Sequence, residues 1–338
     1  MSSKINVVIP SIQLSRELIY CLEKLNNQNY KNFFVTIVLD FKNKTKRPKL
    51  NFKLNILISK KKNMSSKRNL GVKKFKSDLI VFLDSDAYPH KNWLREAENL
   101  LSKNKNKNKN TILGGPSIPF PKQNYSEMLC YYAKRSYYVT GYLNFRKYKS
   151  KSRYCDWVES CCMFMNRSLY LKHGGMNINK YLGEDKDLIQ RMKENDKSVK
   201  VFFTPKLFIY HKERNIKKFL LQRMVFGSDL FNIIKFGNNI NSFQPILPLI
   251  IVISTILIVF AKIDSVQKFF LLGSYISLIE LIILIDIKRY LTNLKTIFLS
   301  LILINFANLF YVIGNLMAIF GIKNLLNRKF YLKSRQNT

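Results

Sequence analysis

Carboxylates are scarce in this chain. Only 21 Asp and Glu stand against 57 Lys and Arg, which leaves a formal net charge of +36 over 338 residues. A surface so unbalanced wants an anionic neighbour, whether nucleic acid, anionic lipid or a phosphorylated substrate. No recognised nucleic-acid motif accompanies the charge, so nucleic acid is not an expected partner, and lipid and phosphate are favoured. Part of the excess is background. Lys, Asn and Ile recur throughout, and any single lysine is as readily compositional bias as function. Histidine is rarer still: three residues without a nucleophile motif leave a hydrolytic triad unsupported. The five cysteines, Cys21, Cys130, Cys155, Cys161 and Cys162, form no CxxC pair and no regular framework, and their number is odd, so a reducing compartment is expected. Residues 1–10 contain no apolar stretch of signal-peptide length and run straight into the strand-like Ile5-Asn6-Val7-Val8-Ile9. The catalytic part is therefore expected to face the cytoplasm.

What is present alternates. From residue 4 to about 210, strand-like apolar runs are interleaved with helical periodicity, the pattern of a mainly parallel sheet flanked by helices. Segments 7–9, 34–39, 54–58 and 79–83 read as strands. Leu14, Leu18, Cys21, Leu22 and Leu25 fall at helical spacing between the first two, which makes a β-α-β start. The run 103–110 alternates Lys and Asn and reads as a solvated loop.

The character changes after about residue 244. Segments 245–261, 269–287 and 297–322 are long apolar runs, and a helix needs roughly 20 residues to cross the hydrocarbon of a bilayer. About three transmembrane or re-entrant helices are expected over 245–322. The first is marginal in length, and the second carries Glu280 and Asp286, which suits a re-entrant or interfacial segment. Before them Ile216, Phe219, Leu220, Arg223, Phe226, Leu230, Phe231 and Ile234 recur every three or four positions, with Lys217, Lys218 and Lys235 off the stripe. Residues 215–244 therefore read as an amphipathic helix lying at a membrane interface. A basic tail, 323–338, carries Lys323, Arg328, Lys329, Lys333 and Arg335. Three crossings would put that tail outside, against the positive-inside tendency, and two would return it. The expected organisation is a catalytic domain over 1–214, the interfacial helix, the membrane helices and the tail.

The strongest local signal is Leu79-Ile80-Val81-Phe82-Leu83-Asp84-Ser85-Asp86, an apolar strand that ends in two carboxylates one residue apart. Strand ends in open α/β sheets face the ligand crevice, and paired hard oxygens suit Mg²⁺ or Mn²⁺ that can hold a diphosphate. Alone, Asp-x-Asp is more often a solvated turn. The order of the surrounding motifs gives it meaning: Ile9-Pro10-Ser11, then Gln28-x-Tyr30, Val38-Leu39-Asp40, Lys67-Arg68-Asn69-x-Gly71, Asp84-Ser85-Asp86, Asn166-Arg167-Ser168, Gly174-Gly175-Met176 and Gly183-Glu184-Asp185-x-Asp187-Leu188. Over about residues 4–230 this set resembles the family 2 glycosyltransferases of GT-A fold, an α/β, Rossmann-like catalytic domain here followed by an α-helical membrane region.

The resemblance implies that Pro10, Ser11 and Asp40 contact the nucleoside, with Asp40 accepting from the base, and that Arg68 borders the nucleotide. It implies that Asp84 and Asp86 hold the metal, Mg²⁺ or Mn²⁺, with Asp84 also reaching the nucleotide, that Asp185 is the catalytic base, and that His211 is a further metal or phosphate contact. Glu184 would orient Asp185 or bind the acceptor, with a helix N-terminal carboxylate as the competing explanation. Phe41 stands where the family usually has a second acidic residue, which weakens the assignment of Asp40. Such chemistry needs these parts, because an acceptor hydroxyl must lose a proton while a nucleoside diphosphate leaves. Gln222-Arg223 begins the Gln-x-x-Arg-Trp pattern of processive synthases, but Met224 and Phe226 do not complete it. The implied activity is inverting transfer from a nucleotide-sugar donor, UDP-sugar by default, to a membrane lipid or lipid-linked glycan acceptor at an anionic membrane surface. A polyprenyl-phosphate sugar transferase is the alternative, and a basic membrane-bound nucleic-acid-binding or scaffold protein is the alternative of another class.

Overall fold

The structure is a computed structural model that describes residues 2–43, 45–102, 109–180, 182–229 and 246–322. It packs as two compact units: 1–120 with 145–212, and 121–144 with the chain from 213 onward.

The first unit is built on a sheet of β1 (Ile5–Pro10), β2 (Phe33–Leu39), β3 (Lys53–Ile58), β4 (Leu79–Phe82), β6 (Thr111–Gly114), β8 (Arg153–Tyr154), β9 (Met163–Asn166) and β10 (Lys200–Phe203). The spatial order is β3-β2-β1-β4-β9-β6-β10-β8. β3, β2, β1 and β4 run parallel, β9 runs against both β4 and β6, and β8 against β10. The strand segments expected from the sequence are among these. Every residue of β1, β2 and β4 is buried, as central strands covered on both faces require.

A small second sheet joins β5 (Ala87–Pro89), β11 (Ile209–His211) and β7 (Ser117–Pro119) in the order β5-β11-β7. Helix α1 (Arg16–Asn26) starts at Ser15, whose hydroxyl accepts from Leu18 N, and buries the expected stripe of Leu18, Cys21, Leu22 and Leu25. Helix α2 (Met64–Lys74) starts at Asn63, whose side chain accepts from Ser66 N at 2.8 Å. It lies close on the sheet because Gly71 has no side chain: a Cβ there would stand 2.6 Å from Val8 Cγ1. Helices α3 (Trp93–Ser102), α6 (Arg167–Lys172) and α7 (Glu184–Asn195) complete this unit.

The second unit contains α4 (Tyr125–Arg135), α5 (Tyr137–Thr140), α8 (Ile216–Gly227), α9 (Leu247–Phe260), α10 (Ser265–Lys288) and α11 (Leu294–Ile319). Segment 121–144, inside the expected catalytic span of 1–214, packs here through contacts with α10, α11 and the residues between them. Asp286, near the end of α10, is buried and accepts from the Ser136 hydroxyl at 2.7 Å and from Tyr137 N at 2.9 Å, so one carboxylate caps α5. Tyr125 meets Thr296 at 3.0 Å, and Tyr290 donates to the Tyr132 carbonyl at 3.1 Å. Glu280 accepts from Asn305 at 2.8 Å. Both acidic residues of the second apolar run thus have protein partners.

α10 and α11 are long and apolar enough to cross a membrane, by length and composition. At about 1.5 Å per residue, α9 with its 14 residues reaches about 21 Å, short of the roughly 30 Å of hydrocarbon. α8 and α11 meet backbone to backbone, since a Cβ on Gly227 would stand 2.0 Å from Tyr311 O and one on Gly314 2.0 Å from Met224 O. Of the expected amphipathic stripe, Phe219 is buried and Phe226 is exposed. Leu230, Phe231, Ile234 and Lys235, most of the run 103–110, Pro245 at the start of the first apolar run, and the basic residues of the tail lie outside the described residues.

Candidate active site

Parallel pairing brings the expected site residues to one edge. β1 lies between β2 and β4, with Pro10 opposite Val38 and Val8 opposite Phe82. The residues that follow these strands, Ser11, Asp40 and Asp84, therefore emerge along the same carboxyl edge of the sheet.

The second sheet carries His211 to that edge. Antiparallel pairing of β11 with β5 sets His211 opposite Ala87, and Lys212 N donates to Asp86 O at 3.0 Å. Asp84, Asp86 and His211 offer ligand atoms that all lie within 4.8 Å of one another. His211 Nε2 is 3.7 Å from Asp84 Oδ2 and 3.6 Å from Asp86 Oδ1. On the other side of the ring, Nδ1 lies 2.8 Å from the Lys212 carbonyl. A carbonyl only accepts, so Nδ1 carries a proton and Nε2 is the atom turned to the carboxylates. Two carboxylates and an oriented imidazole form a donor set that fits a divalent cation.

Three consecutive residues of α2 tie this edge together. Lys67 Nζ is 2.6 Å from Asp40 Oδ1 and donates to the Ser11 carbonyl at 2.7 Å. Arg68 donates from Nη2 to Asp84 Oδ1 at 2.9 Å and from Nη1 to Glu184 Oε1 at 2.8 Å, with its side chain only 3% exposed. Asn69 accepts from Met176 N at 2.9 Å and from the Tyr170 hydroxyl, and donates to Met176 O at 2.8 Å. It thereby fixes the turn at Gly174 and Gly175, whose φ angles of 75° and 73° lie in the left-handed region that glycine tolerates. Arg191 holds the same turn, donating to Gly175 O at 2.7 Å, to His173 O at 2.8 Å and to Asp187 at 2.9 Å.

Asp185 sits in the first turn of α7, with both oxygens engaged: Oδ2 accepts from Ser160 N at 2.9 Å and Oδ1 from Lys186 N at 2.8 Å. Burial, and then the neighbouring Glu184 charge, push its carboxyl well above the usual range. The Ser160 N–H and the Arg68 cation oppose that shift. Beside it, burial also works against the Glu159 carboxylate, but Lys147 and Arg146 outweigh it and hold the group down to about 2. Lys147 bonds both Glu159 oxygens, at 2.8 and 2.9 Å, and Ser117 donates to one of them at 3.1 Å.

The structure thus gathers Asp84, Asp86, His211, Arg68, Glu184 and Asp185 into one linked group. Pro10, Ser11 and Asp40 form a neighbouring group closed by Lys67. Lys67 and the Glu159–Lys147 pair received no role from the sequence. Lys67 was hidden because one lysine among 57 basic residues carries no signal of burial. His90 stacks on Phe208 with ring centroids 4.3 Å apart, and its Nε2 lies 2.6 Å from the Lys206 carbonyl.

Residues 6–172 match the family described as Glycosyl transferase family 2. The chain carries a family 2 glycosyltransferase domain. Its mostly parallel sheet, followed by a helical region with two long apolar helices, is the GT-A arrangement expected from the sequence. The matched segment includes Asp40, Lys67, Arg68, Asp84 and Asp86 and ends before Asp185 and His211. Those two join the site through the contacts above. The chain is 34% identical over 109 residues to the amylovoran biosynthesis glycosyltransferase AmsB of Erwinia amylovora, which covers 29% of this chain and 36% of that protein. Among solved structures it is similar to S. aureus TarS, with 14% identity, 77% of this chain and 44% of that chain covered, and a TM-score of 0.45. It is also similar to GalNAc-T7 with UDP, GalNAc and Mn²⁺, with 13% identity, coverage of 63% and 44%, and a TM-score of 0.47. The chain therefore spans less than half the length of each of these relatives.

Proposed function

We propose that the protein is an inverting glycosyltransferase that moves a sugar from a nucleotide-sugar donor, UDP-sugar by default, to a membrane-associated, lipid-linked glycan. The observation that carries this reading is Arg68, whose guanidinium spans from Asp84 of the metal-binding group to Glu184 beside Asp185. One rigid fork thereby sets the position of the leaving group's charge relative to the base.

In this mechanism Pro10 and Ser11 line the nucleoside and Asp40 accepts from its base. Asp84, Asp86 and His211 hold a divalent cation, Mg²⁺ or Mn²⁺, which when bound supplies positive charge to the departing diphosphate. The imidazole nitrogen tilts the choice toward Mn²⁺. Asp185 takes the proton of the acceptor hydroxyl as its oxygen bonds to the anomeric carbon and the bond to the diphosphate breaks. A raised carboxyl is a stronger base for that purpose than an ordinary one. A single displacement inverts the anomeric centre.

The membrane part of the proposal is supported by α10 and α11 and by the net charge of +36, which suits an anionic lipid surface. The relative's part in amylovoran biosynthesis supports a glycan-building role. A cytoplasmic catalytic domain and a multi-pass anchor, of bacterial inner-membrane type, complete the reading.

The test is nucleoside diphosphate release by the detergent-purified protein across a panel of nucleotide sugars, with Mn²⁺, Mg²⁺ or EDTA and a membrane-lipid extract as acceptor. Metal-dependent release from one donor, lost in Asp86→Ala and Asp185→Ala, is expected. Silence with every donor would overturn the proposal.

A further inference from the structure

Asp185 takes one hydrogen bond from outside its own helix, from Ser160 N to Oδ2 at 2.9 Å. Ser160 opens the short turn Ser160–Cys162, in which Cys162 N donates back to the Glu159 carbonyl at 3.1 Å. The direction of the Ser160 N–H therefore depends on how the two preceding residues are held. Val158 lies hard against the end of β6, where a Cβ on Gly114 would stand 2.5 Å from Val158 Cβ. Glu159 is held by its side chain. Lys147 Nζ donates to Oε1 at 2.8 Å, to Oε2 at 2.9 Å and to the Ser117 hydroxyl at 3.1 Å, and that hydroxyl donates to Oε2 at 3.1 Å. Lysine, serine and glutamate thus close a ring, with Arg146 as a second cation 3.8 Å from Oε1. Ser117 belongs to β7, which pairs with β11 so that Pro119 stands opposite His211. One carboxylate joins the amide that meets Asp185 to the strand beside the one that carries His211.

We infer that Glu159, locked by Lys147, is a positioning residue that holds the Ser160 N–H on Asp185 and fixes that carboxylate relative to the strand of His211. This rests on the reading of Asp185 as base and deepens it. Glu159 acts through Ser160 and touches no reacting atom. A donated N–H favours the ionised carboxylate and restrains its rotation, which are the two properties a base needs. The other charged groups that bear on Asp185 are Glu184 beside it on α7 and Arg68 from α2.

The experiment is a pH–rate profile of nucleoside diphosphate release by the full-length protein in detergent. Wild type is compared with Lys147→Met/Glu159→Gln, Lys147→Arg and Ser160→Pro. The paired variant removes one charge of each sign, so the net charge near Asp185 is unchanged while the ring is dissolved. Its kcat is expected to fall at least about tenfold with little change in the donor KM. The acidic limb of kcat/KM should move to higher pH by about one unit, because Asp185 loses a donor that favours its ionised form. Lys147→Arg keeps a cation on Glu159 and is expected to recover most of the lost kcat. Ser160→Pro deletes only the N–H. Proline is tolerated at the first position of such a turn, and Glu159, with φ −73° and ψ 141°, already has the extended backbone that precedes a proline. Its limb should move in the same direction, and adding the paired change to Ser160→Pro should move it no further. A limb that stays in place or moves to lower pH in the folded paired variant overturns the inference, and so does full additivity of the two changes. Should the paired variant not fold, an unmoved limb in Ser160→Pro overturns it alone. A wild type that releases no nucleoside diphosphate from any donor sinks the glycosyltransferase reading itself and takes this inference with it.

Discussion

Arg68 lies 2.9 Å from Asp84 while its other terminal nitrogen reaches Glu184 at 2.8 Å. A lysine has the charge but a single compact head, and it cannot span both carboxylates. Arg68→Lys is expected to lower kcat about a hundredfold while the protein stays folded, as read by nucleoside diphosphate release alongside a melting curve. Arg68→Ala is expected to cost about 1–3 kcal/mol of stability, the smaller end being favoured because Asp84 keeps 28% exposure.

The raised carboxyl of Asp185 sets a pH dependence. In the proposed role of base it would work only when ionised, so kcat/KM should fall on acidification at a pH well above that of an ordinary carboxyl. Glu184 contributes to the upward shift and Arg68 opposes it. Glu184→Gln removes the first and leaves the second, so the acidic limb should move to lower pH. A pH–rate profile of the two proteins checks the sign, and a shift to higher pH would contradict the assignment of Asp185 as base.

Metal dependence would separate the proposed ligands. His211→Ala is expected to weaken Mn²⁺ binding at least about tenfold, and Asp86→Ala to abolish it, by calorimetric titration. Activity should vanish with EDTA and return with added Mn²⁺. Unchanged Mn²⁺ affinity in His211→Ala would leave the imidazole with a phosphate instead.

In the helical unit, Gly314→Val should destabilise the crossing of α8 and α11, because its Cβ would stand 2.0 Å from the Met224 carbonyl. Overpacking typically costs about 1–3 kcal/mol, and backbone cannot step aside as a side chain would. Thermal melting in detergent should fall by several degrees. Gly273→Ala, at a position with open space around it, is the control expected to change little.

The parts of the fold legible in the sequence are those whose cause is local. The buried strands β1, β2 and β4 are apolar runs broken only by Asn6 and Thr36, which hydrogen-bond each other, and Asp84 and Asp86 stand out because charge follows the β4 run abruptly. α1 was legible from its stripe and α10 and α11 from their length. The packing of residues 121–144 with the C-terminal helices was not, because it depends on Asp286 capping a helix 149 residues away in sequence, which leaves no local pattern. Lys67 opens the Lys67-Arg68-Asn69-x-Gly71 run, where nothing in the sequence marks it as buried. Its burial follows from where α2 rests on the sheet at Gly71, a tertiary fact. His211 was reached through family resemblance, and the β5–β11 pairing supplies the physical reason that it stands beside Asp86.

Because Lys67, Arg68 and Asn69 are consecutive on α2, each points about 100° around the axis from the last, and they engage three different loops. Any single substitution among them releases one loop. An insertion or deletion of one residue between Met64 and Lys67 would turn all three away at once, so α2 is expected to tolerate point changes far better than length changes. Loops grafted from a relative to alter the transferred sugar would have to preserve the rotational phase of this helix, a constraint on engineering that residue-by-residue comparison does not reveal.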